Sequence, residues 1–164
     1  MNITKVYFTI KNYDRALEYY KKSLTINEKV LPRGHEQIRR SYWLIGNIHG
    51  IQNMYNLAIE YYKKALIIEN EIMSNEKIRI AELYRLIGLW YDKKDNYDLS
   101  IQHYILALEL YETYLPSDIS MISSIHSNIG SLYGKKGEYD LALEYYTKDL
   151  IIQSNENVEK YMKN

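Results

Sequence analysis

The sequence predicts an all-α protein, an α-solenoid (a superhelix) of about four antiparallel helix hairpins. Three observations carry that reading. The chain repeats itself at a fixed step, its apolar residues recur at helical spacing, and its 2 Pro and 7 Gly in 164 residues are too few for a many-turned β protein. The step is 42. Tyr13, Tyr55, Tyr97 and Tyr139 keep it, as do Tyr20, Tyr62, Tyr104 and Tyr146. Gly46, Gly88 and Gly130 keep it as well, and so do Ile45, Ile87 and Ile129. Residues 55–68 match 139–152 at 10 of 14 positions, 13–26 at 9 and 97–110 at 6, so the third copy has drifted most while holding register. A Tyr-rich composition alone would not bring glycines into phase with the tyrosines.

Each unit reads as two helices. The first, for example 38–50, carries Ile38, Tyr42, Ile45 and His49 on one stripe. The second, 55–73, carries Leu57, Ala58, Tyr61, Tyr62, Ala65, Leu66 and Ile68, with Glu60, Lys63, Lys64 and Glu69 largely between them. Glu18–Lys22 and Glu60–Lys64 are i,i+4 pairs in the favoured order, worth roughly 0.2–0.5 kcal/mol each. The turns 93–98 and 135–140 separate first from second helices, and Gly137 suits a left-handed position after a helix end. The longer links 31–38 and 115–122 open with Pro32 and Pro116, which stop the preceding helix. Gly46, Gly88 and Gly130 fall mid-helix, where Gly costs about 0.8–1 kcal/mol against Ala. That cost is tolerable where two helices must approach closely. Ala58, Ser100 and Ala142 serve the same purpose on the second helix, and Tyr62, Tyr104 and Tyr146 fill the adjacent space. The surplus of 19 Tyr over 1 Phe is therefore mostly packing.

Composition excludes several classes. Lys+Arg and Asp+Glu are both 21, which disfavours sequence-independent binding to nucleic acid or an anionic membrane. With 0 Cys there is no disulfide, thiolate zinc site or cysteine nucleophile. No stretch approaches about 18 apolar residues and residues 1–20 contain no signal-type apolar run, so a cytoplasmic protein is expected. The histidines, His35, His49, His103 and His126, form no H-E-x-x-H pattern, and no phosphate-cradling glycine loop exists. His49 and His126 occupy core aromatic positions, His103 replaces a Tyr, and His35 sits in a link as a capping residue. No catalytic residue, metal ligand or cofactor is expected.

At these residues the chain resembles the tetratricopeptide repeat family. The second unit offers Tyr42, Ile45, Gly46, His49, Ala58, Tyr62 and Ala65. The third offers Tyr84, Ile87, Gly88, Tyr91, Ser100, Tyr104 and Ala107. The fourth offers His126, Ile129, Gly130, Tyr133, Ala142, Tyr146 and Asp149. Asp149 departs from an Ala-type position. The first keeps Ile3, Tyr7, Ala16, Tyr20 and Ser23, with Thr4 where Gly belongs. A step of 42 with Leu31, Pro32 and His35 in the link resembles the kinesin light chain variety. The resemblance covers one domain, 1–164, in units 1–38, 39–80, 81–122 and 123–164.

The resemblance implies a non-catalytic protein-interaction scaffold that binds a peptide or helix on a concave face lined by first helices. The positions it points to are Arg40, Trp43 and Asn47; Glu82, Arg85 and Leu89; and Ser124, Ser127, Asn128 and Ser131. Arg39, Arg40, Arg79 and Arg85 fall in first helices, so acidic peptides are one expectation and solvated helix-face charges the other. A kinesin light chain-like cargo adaptor and a regulatory array attached to a larger signalling protein or enzyme are alternatives. The first unit is short, and Leu150, Ile151 and Ile152 have no following helix to cover them. The sequence therefore suggests a piece of a longer array or self-association through uncapped ends.

Overall fold

The described residues of the computed structural model are 12–71 and 77–162, with side chains up to 154. They hold seven helices and no strand: α1 (Tyr13–Val30), α2 (Glu36–Ile51), α3 (Tyr55–Glu71), α4 (Lys77–Asp92), α5 (Tyr97–Tyr114), α6 (Ile119–Lys135) and α7 (Tyr139–Met162). The all-α class and the hairpin plan are as the sequence predicts. The shortened first helix expected around Ile3, Thr4 and Tyr7, the link at 72–76 and the side chains of the polar tail lie outside the described residues. The chain divides into two compact units, Met1–Asn75 and Glu76–Asn164. In the first, α1 packs on α2 and α2 on α3. In the second, α4 packs on α5, α5 on α6 and α6 on α7.

Local chemistry fixes the boundaries. Asn12, Asn96 and Asp118 accept from Arg15 N, Leu99 N and Met121 N at 3.3, 3.3 and 3.1 Å, satisfying orphan donors at helix starts. His35 caps α2 by accepting from Gln37 N through Nδ1 at 3.2 Å. α1 and α5 stop at Val30 and Tyr114, ahead of Pro32 and Pro116, as the prolines require. Between first and second helices the turn repeats. Asn53, Asp95 and Gly137 all have positive φ, at 60°, 56° and 81°, and all stand at one register position. The next residue donates back five places, Met54 to His49 O, Asn96 to Tyr91 O and Glu138 to Tyr133 O, at 2.8–3.0 Å. This is the Schellman closure of a helix C-terminus, here serving also as the start of the next helix.

The glycines sit where the helices meet. A Cβ on Gly46 would lie 2.9 Å from Tyr62 Cε1. On Gly88 it would lie 3.2 Å from Ser100 O and the Tyr104 ring, and on Gly130 3.1 Å from the Tyr146 ring. Ser100 is fully buried because its hydroxyl donates to Gly88 O at 2.8 Å, which is why a serine substitutes for alanine there. Around these contacts Leu24, Ile38, Ile45 and Ile68 form the core of the first unit. In the second, Ile101, Tyr104 and Leu108 of α5 share one core with Ile122, Ile125, Ile129 and Leu132 of α6. Asp149 is buried, yet accepts from Ser123 Oγ and, at 2.8 Å, from Gln153 Nε2, so this departure from the alanine pattern is satisfied within the α6–α7 pair.

Three single substitutions separate space from backbone strain. Gly46→Ala should destabilise by about 1–3 kcal/mol through overpacking against Tyr62, although helix propensity favours Ala. Gly137→Ala should cost about 1 kcal/mol through its left-handed backbone alone. Gly134→Ala should gain about 0.5–1 kcal/mol, since it is helical with nothing within 4 Å of an added Cβ. Urea midpoints of the three variants measure the signs.

Candidate functional site

The residues that the sequence singles out all stand on first helices of their pairs. On α2, Arg40 is exposed, while Trp43 and Asn47 are half-buried. Asn47 Oδ1 accepts from the buried Tyr62 hydroxyl at 2.5 Å. On α4, Glu82 and Arg85 are brought together: Arg85 Nε and Nη2 each lie 2.7 Å from a Glu82 carboxylate oxygen. This two-point pair is further held by the Tyr111 hydroxyl, 3.3 Å from Glu82 Oε2. Leu89 packs at the edge of the second unit's core. On α6, Ser124 is exposed and Ser127, Asn128 and Ser131 are half-buried. They stand at i, i+3, i+4 and i+7, one stripe of the helix. Among the described residues no hydrogen bond engages their side chains.

Among the first-helix arginines, Arg85 and Arg39 are taken up within the chain. Arg85 is held by Glu82. Arg39 Nε lies 2.7 Å from Glu69 Oε1, and Glu69 is 1% exposed. Sequence spacing did not reveal that second pairing, because residues 39 and 69 meet only once α2 and α3 fold back on each other.

Behind these faces lies an arrangement the sequence had only hinted at. Each helix pair holds a three-ring stack in which one second-helix ring sits between two first-helix rings. The stacks are Tyr42–Tyr61–His49, at centroid distances of 6.1 and 5.5 Å, Tyr84–His103–Tyr91, at 5.8 and 5.5 Å, and His126–Tyr145–Tyr133, at 5.7 and 5.6 Å. Every stack contains one histidine and two tyrosines, with the histidine in a different place each time. Lys64 and Lys148 lie over the Tyr61 and Tyr145 rings at 5.0 and 4.9 Å. Burial pushes the Tyr42 phenol up to about 12, reinforced by its hydrogen bond to Glu28. Among the described residues no group of three or more His, Cys, Asp or Glu side chains is placed to hold a metal ion. No helix among them is long and apolar enough to cross a membrane.

These repeats and contacts define a class. The sequence model of the tetratricopeptide repeat family matches residues 2–71 and 79–148. The chain therefore belongs to the tetratricopeptide repeat family, whose fold is a protein-interaction scaffold. No protein with a curated function matches its sequence. Among solved structures it is similar to BtubC (BKLC) from P. vanneervenii, with a TM-score of 0.85 at 19% identity over 94% of this chain and 62% of that one. The apo form of RapI gives 0.80 at 27% identity over 93% and 41%. A putative kinesin light chain from Podosopora anserina with nearly identical repeats gives 0.79 at 14% over 93% and 72%. The chain thus spans less than two thirds of the BtubC and RapI chains. The kinesin light chain-like character expected from the 42-residue step has its structural counterpart in the third.

The ring stacks carry a pH dependence. His49 is 3% exposed and neither of its ring nitrogens has a hydrogen-bond partner among the described residues; His126 is 4% exposed with its Nδ1 likewise unpartnered. Burial lowers the pKa of His49, with Lys21 adding to the effect and Glu60 opposing it. Burial lowers that of His126, opposed by Glu112, 3.5 Å from Nε2, and by Asp149, while Lys148 adds to the lowering. The unfolded chain therefore takes up protons around 6.5 that the folded chain refuses. Stability from the neutral rings is complete above 6.5 and declines as pH falls from there toward the lowered folded values. The urea midpoint should drop between pH 7.5 and 5.5. In a His49→Tyr/His126→Tyr variant, which restores the tyrosines of sister stacks, that drop should shrink.

Proposed function

We propose that the chain is a non-catalytic interaction module that holds a peptide or helix of a partner protein on the polar faces of its first helices. The α6 stripe of Ser124, Ser127, Asn128 and Ser131 supports this most directly. It offers donors and acceptors at helical spacing with none of them spent among the described residues. An extended or helical ligand backbone meets such a stripe with hydrogen bonds worth about 0.5–1.5 kcal/mol each. On α2, Trp43 is the apolar anchor, since a half-covered tryptophan gains most when a partner completes its burial. Arg40 is the exposed arginine beside it and meets an acidic residue of the ligand, whereas Arg39 and Arg85 hold carboxylates of their own chain. Likeness to a putative kinesin light chain makes a cargo-adaptor role the second reading, with the same faces engaged.

Peptides selected from a random displayed library against the whole chain provide the probe. Their affinity should fall about tenfold or more in Ser127→Arg/Asn128→Ala, equivalent to roughly 1.4 kcal/mol, and stay unchanged in Gln102→Arg on α5. Replacing acidic residues of the peptide should weaken binding to the parent chain and make no difference to Arg40→Ala. Selected peptides indifferent to the α6 substitutions would show that the first-helix faces are not the site.

A further inference from the structure

The first unit holds a hollow of about 360 Å³ between α1, α2 and α3. Its lining is mixed. Ile38, Tyr42, Ile67 and Ile68 are the apolar part, and Glu28, Arg33 and Lys64 the charged part. Ile38 and Ile68 belong to the core and are 3% and 4% exposed, while Ile67 is 51% exposed. Three successive helices and the link after α1 supply the whole lining, so the hollow is complete within this unit. Leu24 and Ile45, core residues of the packed α1 and α2, do not line it, so it is not the seam between stacked helices.

The three charges are not equally free. Glu28 accepts from the Tyr42 hydroxyl, which stays neutral because burial and that bond push it up to about 12. Lys64 Nζ lies 2.7 Å from Glu60 on its own helix, which uses one of its three donors. Arg33 is the loosest. Its side chain is 82% exposed, and its Nη2 is 3.7 Å from Glu71 Oε1, beyond hydrogen-bond length. Both cations act on the same polar pair: Arg33 opposes the rise of the Tyr42 pKa, and Glu28 raises that of Lys64. Two cations with donors to spare thus stand by one anion that is already engaged. The second unit repeats the frame without the arginine. Glu112 lies 3.5 Å from His126 Nε2 where Glu28 meets Tyr42, and Lys148 pairs with Glu144 at 2.6 Å as Lys64 does with Glu60. Ile122, Ile151 and Ile152 stand at the positions of Ile38, Ile67 and Ile68, but Ser117 stands at that of Arg33. The frame folds without an arginine there, so Arg33 is an addition to it.

We propose that this hollow binds a small organic acid, a single carboxylate on an apolar body. The carboxylate sits between the Arg33 guanidinium, whose fork matches it at two points, and the Lys64 ammonium. The body lies on Ile38, Ile67 and Ile68 and takes them out of water. The volume falls at the low end of the range for ligand pockets, about 300–1,000 Å³, so the body is one ring or a chain of about ten carbons or fewer. A cationic ligand meets Arg33 and Lys64 as like charges, and a neutral one leaves the Arg33 donors unmatched. None of Arg40, Trp43 and Asn47 lines the hollow, so this proposal and the peptide site stand or fall separately.

Hydrocinnamate is the probe, titrated into the whole chain with isotope-labelled isoleucine methyl groups and followed by NMR, with calorimetry alongside. The Ile38, Ile67 and Ile68 methyl signals should shift and saturate at one acid per chain, with a Kd below about 1 mM. Arg33→Gln should weaken binding about tenfold, and Lys64→Gln and Ile67→Asn severalfold. Lys148→Gln, at the same register on α7, should leave it unchanged. Arg33 and Ile67 are exposed, so circular dichroism and melting of their variants should match the parent. Hydrocinnamyl alcohol and phenylpropylamine should bind about tenfold more weakly or worse. Absence of a saturable shift, equal binding of acid and alcohol, or indifference to Arg33→Gln overturns the proposal. A peptide ending in Phe with a free terminal carboxylate adds the remaining outcome: binding about tenfold tighter than the free acid assigns the hollow to a protein terminus and overturns it equally.

Discussion

A tyrosine ring lying flat against a glycine, once in each helix pair, is the contact on which this structure depends. Gly46 and Tyr62, Gly88 and Tyr104, and Gly130 and Tyr146 are sixteen residues apart in sequence every time and touch across the turn. The ring occupies the volume of the missing side chain, so the two helices approach closely and neighbouring positions must stay small. That is why position 58 is Ala, 100 is Ser with its hydroxyl turned onto Gly88 O, and 142 is Ala. The phenol adds a second requirement. Buried Tyr62 gives its hydroxyl to Asn47, whereas burial pushes Tyr104 up to about 12. Mid-helix Gly46 and Gly88, unfavourable by propensity, are thereby favourable in place, since alanine would have to displace a ring closed in on its other sides.

Periodicity made most of the fold legible. Helix periodicity, the proline stops and the glycine step are local signals, and each constrained a backbone position that the structure reproduces, down to the Gly137 turn. Asn53 and Asp95 at that same left-handed position were missed because their side chains disguise it; only alignment with Gly137 exposes them. The candidate site was less readable. Exposure of Arg40 follows from helix geometry, but the engagement of Arg85 by Glu82 and of Arg39 by Glu69 depends on rotamers and on helices meeting across a turn. A sequence shows that two opposite charges share a protein; it does not show that their desolvation has already been compensated by one another.

One contact is solved three ways. Where the start of a first helix meets the end of its second, the pairs are Arg39 with Glu69, Ala81 with Tyr111, and Ser123 with Asp149 and Gln153. An ion pair, an apolar contact and an amide–hydroxyl hydrogen bond fill the same place in the register, with Asp149, one turn before Gln153, accepting from both members of the last pair. Each polar version is admissible only because its partner is present, as an unpaired buried carboxylate would cost several kcal/mol. The drift of the sequence between copies is thus coupled drift, in which contacting positions change together while glycine and tyrosine hold the frame. The ring stacks follow the same logic, with histidine moving among three seats without breaking the stack.

α6 shows why such a frame leaves surfaces to spare. Helical period gives it two faces: Ile122, Ile125, Ile129 and Leu132 are consumed by α5, and Ser124, Ser127, Asn128 and Ser131 face outward. α7 has the period and the apolar residues for the same double duty, yet among the described residues only α6 packs on it.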